Sequence, residues 1–194
     1  MELRRSLLNT RQHLSSSEWR EKSDRICAHL QTWLLFSQAQ TVLSYFSFRQ
    51  EPDLSPLWEL EKGRLKQGQL QKQYGFPRCV GKQLCWHLWS PIAAPLVIGQ
   101  YGIPEPHPEC PVVVSERVDV ILVPAVSCDD RGYRLGYGGG FYDRLLGSLE
   151  WSHKIAIGIT FDLGRVRELP IDPWDTRLSG VCTETGLFVV NKSC

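Results

Sequence analysis

Two spacings of apolar residues alternate along the chain, one helical and one extended. At the amino end Leu3, Leu7 and Leu14 share one helical face, while Arg4 and Arg11 share another. Ser15-Ser-Ser-Glu18 has the spacing of a capping box and predicts a second helix. Its apolar stripe is Trp19, Ile26, Leu30 and Trp33. Ser55-Pro56 predicts another helix start, with proline at the first helical position and an end near Gly68. Thr41 to Phe46 is rich in β-branched and aromatic residues and predicts a strand. Gln73 to Cys79 and Gln83 to Ser90 predict two more, separated by Val80-Gly81-Lys82. Val118 to Val123 and Lys154 to Thr160 are nearly all apolar, the pattern of strands buried on both faces. Phe141 to Leu149 reads as a helix and Gly186 to Val190 as a final strand. Residues 91 to 111 hold six prolines and two glycines and predict a long irregular loop.

Strands alternating with helices predict an α/β fold: a single-domain layered sandwich over residues 1–194, its largely parallel central sheet flanked by helices. Lys and Arg number 22 against 21 Asp and Glu, a formal net charge of +1. That balance argues against nucleic acid or a membrane surface as a general partner. No apolar run approaches the ~18 residues that span a bilayer, and Met-Glu-Leu-Arg-Arg5 lacks the apolar core of a signal peptide. The seven cysteines are odd in number, form no Cys-x-x-Cys pair and have no zinc-ligand spacing. Reduced thiols in a cytoplasmic protein are the expectation.

The candidate chemistry concentrates in Gly132-Tyr-Arg-Leu-Gly-Tyr-Gly-Gly-Gly-Phe-Tyr-Asp-Arg144, with five glycines in nine residues and Arg131, Arg134 and Arg144 alongside. Glycine lets backbone N–H groups approach a ligand, and such amides beside a helix start hold anionic oxygens. Arginines add charge that matches phosphate. The competing reading is a tight strand-to-helix connection. Asp143 suits a Mg²⁺ ion bridging phosphates, or simply an acid at a helix N-terminus. Arg4, Arg5 and Arg11 either form a solvated face or fold over the glycine loop. Glu51 follows the first strand, where α/β sheets bind ligands, though a surface glutamate has the same sequence signature. Tyr101 to Pro108 walls a pocket or is a stiff connection. The five histidines have no ligand spacing, and no Gly-x-Ser-x-Gly elbow is present.

Arg134-Leu-Gly-Tyr-Gly-Gly-Gly-Phe-Tyr-Asp-Arg144 resembles the signature of the 5-formyltetrahydrofolate cyclo-ligase (methenyltetrahydrofolate synthetase) family. Leu3-Arg4 with Arg11 and Leu14-Ser15, Gly102-Ile-Pro-Glu-Pro106, Val120 to Pro124, Leu169-Pro170, Asp175 and Thr183-Glu184 extend the likeness along most of the chain. The resemblance implies ATP-dependent closure of 5-formyltetrahydrofolate to 5,10-methenyltetrahydrofolate, with Mg²⁺ required and ADP and phosphate released. It implies no side-chain nucleophile, with Arg134 and Tyr142 positioning and neutralising. ATP would lie against Arg134, Leu135, Gly136, Tyr137, Gly138, Gly139, Gly140, Phe141 and Tyr142, with Arg4 and Arg5 reaching it from the first helix. Phe46, Glu51 and Tyr142 would contact the folate, and Asp143 would hold Mg²⁺. The family carries a lysine four residues before the arginine that Arg4 matches, and this chain begins only three residues before it, so either the start is truncated or Arg5 substitutes. Ser179 stands where many members have an aspartate that assists the metal, and Gly164 where glutamine is frequent. The implied partners are small molecules, and a monomer is expected. The rival readings are a hydrolase or isomerase of a phosphorylated metabolite, and a non-catalytic nucleotide- or folate-binding module.

Overall fold

The computed structural model describes residues 2–66, 72–92 and 95–190. In chain order its elements are α1 (Glu2–Gln12), α2 (Ser16–Thr32), α3 (Leu34–Gln38), β1 (Thr41–Leu43), α4 (Ser55–Lys66), β2 (Gln73–Val80), β3 (Gln83–Leu88), β4 (Val97–Ile98), β5 (Pro104–Glu105), β6 (Val120–Pro124), β7 (Ser127–Asp129), β8 (Arg134–Leu135), α5 (Phe141–Leu146), β9 (Ile155–Ile159), β10 (Arg165–Val166), β11 (Gly180–Thr183) and β12 (Gly186–Val189).

Seven strands make the main sheet, in the order β12-β11-β9-β6-β1-β2-β3. Neighbours from β11 to β2 run parallel, and the edge strands β12 and β3 pair antiparallel. This is the largely parallel sheet that the apolar runs predict. Because successive side chains point to opposite faces, β6 feeds two cores. Val120 and Leu122 join Ile26 and Leu30 of α2 and Leu57 and Trp58 of α4. Ile121 and Val123 join Leu145 and Leu146 of α5 and Trp151. The capping box of α2 is present, with Ser15 and Glu18 exchanging bonds with each other's backbone N–H.

Several expectations need correction. The first strand ends at Leu43, and the chain then turns so that Phe46 stacks on Phe76 at 4.3 Å. Packing of the aromatic ring, not ladder pairing, decides its place. The helix predicted to Leu149 stops at Leu146, where the Gly147 N–H bonds back to Asp143 and Leu145. The loop predicted for residues 91 to 111 contains the β4–β5 hairpin. The helix end expected at Gly68 lies outside the described residues. Residues 127 to 135 are not a plain connection from β6 to the glycine loop. They form the β7–β8 hairpin, which pairs with β10 as a second sheet.

Asp129 organises that hairpin. Its buried carboxylate accepts from the backbone N–H groups of Arg131 (3.0 Å), Tyr133 (2.9 Å) and Leu169 (3.0 Å). Arg131 answers it with a 2.8 Å ion pair and also holds Glu168. Arg131 is therefore a structural cation of the hairpin, not a phosphate ligand.

Asp129→Ala leaves buried backbone donors without an acceptor, a loss of about 2–3 kcal/mol. Urea denaturation should show a lower midpoint of that size, and an unchanged midpoint would refute the role.

Candidate active site

A cleft of about 1530 Å³ opens where β1 and β6 end. A single ligand needs about 300–1,000 Å³, so the space exceeds one occupant. Phe46, Phe48 and Glu51 line one part, and residues 134–144 line another. The β4–β5 turn contributes Tyr101 and Ile103, and residues 170–177 form a further wall.

The glycine loop is bare backbone. Gly138 and Gly140 have φ of +94° and +64°, a left-handed region that favours glycine. Among the described residues, the amides of Tyr137, Gly138, Gly139 and Gly140 have no intramolecular acceptor. Tyr137, Gly138 and Gly139 are exposed and Gly140 is half-buried, so these four donors at the cleft wall stand open to water or to an incoming anion. α5 has only six residues, so these amides, rather than a helix dipole, carry the attraction.

The first helix does fold over the loop. A side-chain carbon placed on Gly138 would lie 3.5 Å from Arg4 Nη1. Arg4 lines the cleft, and among the described residues it forms no ion pair and its buried Nε has no partner. Arg5 is exposed and lies outside the cleft lining. Arg134 is nearly buried and forms a 2.8 Å ion pair with Asp143, with its guanidinium over the Tyr142 ring. Arg144 spans the loop on the solvent side, donating to the Gly139 and Lys82 carbonyls. Leu135 stays in β8 and lines the cleft beside Gly136. Phe141 packs edge-on to Tyr101 at 5.7 Å.

Glu51 is aimed by a strained turn. Arg49 and Gln50 have φ of +49° and +56°, rare for residues with side chains. The turn is closed by Glu51 N–H to the Phe48 carbonyl at 3.0 Å and by Trp19 Nε1–H to the Glu51 carbonyl at 2.9 Å. Returning, the Glu51 carboxylate accepts from Phe48 N–H at 3.0 Å. It is 3% exposed, and burial pushes its pKa up to about 7 against the opposing pull of Arg11. Tyr142 is held protonated by burial, which pushes its pKa well up, with the Glu51 charge adding to the effect. Burial and Glu51 likewise push Tyr137 up to about 12.

Asp143 faces the cleft, but its Oδ1 is engaged by Arg134. Among the described residues no group of three or more His, Cys, Asp or Glu could hold a metal. Ser179 accepts from the Ala156 N–H at 3.2 Å and does not line the cleft. Gly164 is set by packing, since a side-chain carbon there would lie 2.6 Å from the Val126 carbonyl. Glu105 lines the cleft, but its carboxylate is engaged by Cys79 N–H at 3.0 Å and by Arg78 at 3.6 Å. The wall with Trp174 was missing from the candidate set, whereas Arg11, considered beside Arg4 and Arg5, is buried against Tyr137. The two-turn spacing of Arg4 and Arg11 was the signal for Arg11, whereas nothing in residues 170–177 announces a cleft.

The sequence profile of the 5-formyltetrahydrofolate cyclo-ligase family matches residues 1–184. The 5-formyltetrahydrofolate cyclo-ligase of Escherichia coli strain K12 is 31% identical over 92% of this chain and 96% of its own length. That of Haemophilus influenzae is 27% identical over 91% and 93%. The solved structure of Aquifex aeolicus 5,10-methenyltetrahydrofolate synthetase superimposes with a TM-score of 0.83 at 32% identity, covering 100% of this chain and 93% of that one.

Glu51 binds its proton more tightly folded than unfolded, where the ordinary value is 4.5. Between these values the native state holds the extra proton, so stability falls as pH rises from 4.5 to about 7, by about 3 kcal/mol in total. Denaturation across this range should show that fall in the ligand-free protein, and Glu51→Gln should remove it. An equal fall in the variant would contradict the assignment.

Proposed function

The chain belongs to the 5-formyltetrahydrofolate cyclo-ligase family, and from that membership we propose that it closes 5-formyltetrahydrofolate to 5,10-methenyltetrahydrofolate at the expense of ATP. One observation carries this most directly. The idle amides of the glycine loop and the buried Glu51 belong to one cleft, with Tyr137 between them. One region suits a polyphosphate and the other a flat ring with N–H donors.

The formyl oxygen of the substrate is a poor leaving group. In the proposed reaction it attacks the γ-phosphorus of ATP and ADP departs. N10 of the folate then attacks the formyl carbon, and the phosphorylated oxygen leaves as inorganic phosphate. A C–N bond forms as N10 gives up its proton, which ends on the released phosphate, a C–O bond breaks, and the ring closes as the methenyl cation. The protein's part is positioning and charge neutralisation. The amides of residues 137–140 and Arg4 take the phosphates. Arg134, fixed by Asp143, and the protonated Tyr142 stand where the γ-phosphate would meet the formyl group. Phe46, already stacked on Phe76, presents a ring to the pterin, and Glu51 accepts its N–H groups.

Mg²⁺ needs only one or two carboxylates when phosphates supply further oxygens, and Asp143 fits that requirement. Bound there, the ion would neutralise charge between the β- and γ-phosphates. Arg5 has no part in this reading. The site is complete within one chain, which supports a monomer acting on small molecules. No helix among the described residues is long and apolar enough to cross a membrane. The six described cysteines are unbonded, in keeping with a cytoplasmic location.

Incubation with ATP and substrate labelled with ¹⁸O in the formyl group should give methenyl product with the label in inorganic phosphate. Product without label in phosphate would refute the phosphorylated oxygen, and no ATP-dependent product would refute the activity. Arg134→Ala should lower kcat/KM for ATP about 100-fold, equivalent to about 2.7 kcal/mol. Unchanged ATP kinetics would exclude Arg134 from the phosphate site.

A further inference from the structure

Arg144 leaves the exposed face of α5 and straps the glycine loop to the main sheet. Its Nη2 donates to the Gly139 carbonyl at 2.9 Å, and its Nε donates to the Lys82 carbonyl at 2.9 Å. Lys82 lies in the two-residue turn Gly81-Lys82 between β2 and β3, since Val80 pairs with Gln83. One end of the strap is therefore fixed to the sheet. The guanidinium lies 5.2 Å from the centre of the Phe141 ring. It also packs on the bare side of Gly140, where a side-chain carbon would lie 2.7 Å from Nη1. The backbone N–H of Arg144 holds the next carbonyl, that of Gly140, at 3.1 Å. One residue thus holds two successive carbonyls of the loop.

A trans peptide unit is planar, so its C=O and N–H point in opposite directions. The Gly139 carbonyl and the Gly140 N–H belong to one such unit. With the carbonyl turned to Arg144, the Gly140 N–H is turned away from it, and among the described residues it has no intramolecular acceptor. The glycines do not choose this orientation themselves. Glycine adopts either hand of backbone readily, so the unit between Gly139 and Gly140 is free to turn over. Turned over, it would present a carbonyl oxygen where a phosphate needs a donor. Resting on the ATP reading above, we infer that Arg144 is a positioning residue whose strap orients the Gly139–Gly140 peptide so that the Gly140 N–H serves the phosphates. A charged donor on the carbonyl also polarises the unit and strengthens its N–H as a donor. Arginine suits the task because its rigid fork of donors spans two carbonyls, whereas the lysine ammonium is a compact point charge.

The test uses the full chain with ¹⁵N-labelled glycine. Arg144→Met keeps an aliphatic stem and removes both side-chain donors. In the ligand-free wild type the Gly140 amide should give one ¹H–¹⁵N resonance, and in Arg144→Met it should split or broaden as the peptide turns over. A non-hydrolysable ATP analogue should move the wild-type Gly140 N–H downfield as it bonds to phosphate. Arg144→Met should bind that analogue about tenfold more weakly, the scale of one hydrogen bond to a charged group. Its affinity for 5-formyltetrahydrofolate and its urea midpoint should be unchanged, and Arg144→Lys should fall between the two proteins. An unaltered Gly140 resonance in ligand-free Arg144→Met overturns the inference, as does unchanged affinity for the analogue or an equal loss for analogue and folate. Weaker binding with the full downfield shift retained also overturns it, because Arg144 would then touch the phosphates itself. If Arg144→Met does not fold, the same readings on Arg144→Lys decide. The ligand-free resonance needs no nucleotide, so failure of the cyclo-ligase reading would be seen separately, as absent turnover in the wild-type protein.

Discussion

The approach of α1 to the side-chain-free backbone of residues 136–140 is the contact on which the site depends. A side chain at Gly138 would have to take a strained left-handed backbone, although its Cβ would meet Arg4 only at the ordinary contact distance of 3.5 Å. Glycine there admits the left-handed turn that sets residues 137–140 and Arg4 around one cleft. The rest of the fold serves this contact. The sheet places the ends of β1 and β6 beside each other. The β7–β8 hairpin, held by Asp129, carries the loop away from the end of β6 and back over the cleft. α5 anchors its far end in the core through Leu145 and Leu146.

Charge is arranged with equal economy. Arg131 and Arg134 lie in the same stretch, yet Arg131 is neutralised inside the hairpin by Asp129 and Glu168, and Arg134 is paired with Asp143. Arg4 is left without a carboxylate, next to amides without acceptors. An anion entering the loop therefore meets groups that have no bond to give up. On the other side of Tyr137, the turn at Arg49 and Gln50 holds Glu51 buried at the edge of an aromatic cluster. Strain of about 1–3 kcal/mol per left-handed residue is offset there by bonds to Phe48 and Trp19.

The strongly periodic parts of the chain were legible in advance. Buried strands such as Val120 to Val123 and Ile155 to Ile159 declare themselves by continuous apolar runs, because both their faces are covered. The glycine loop declares itself because Gly138 and Gly140 take a left-handed backbone that favours glycine. Short pairings were not legible. Ser127-Cys-Asp129 and Arg134-Leu135 carry no period, and what makes them strands is a single carboxylate bonding three backbone amides, one of them 40 residues away. Nor could spacing show which arginine lines the cleft: Arg131 and Arg134 look alike in sequence, yet Arg134 lies in the cleft wall and Arg131 is held in the hairpin. Arg11 lay on the correct helical face, but its burial depends on where α1 docks. The wall around Trp174 is built by a loop with no motif, so only the tertiary structure assigns it to the cleft.

The most direct measurement is a structure of the protein with a non-hydrolysable ATP analogue and 5-formyltetrahydrofolate bound together. The phosphates should accept from the main-chain amides of residues 137–140 with Arg4 against them, and the pterin should meet Glu51 in the same cleft. A triphosphate bound elsewhere, with those amides facing only water, would contradict the central claim.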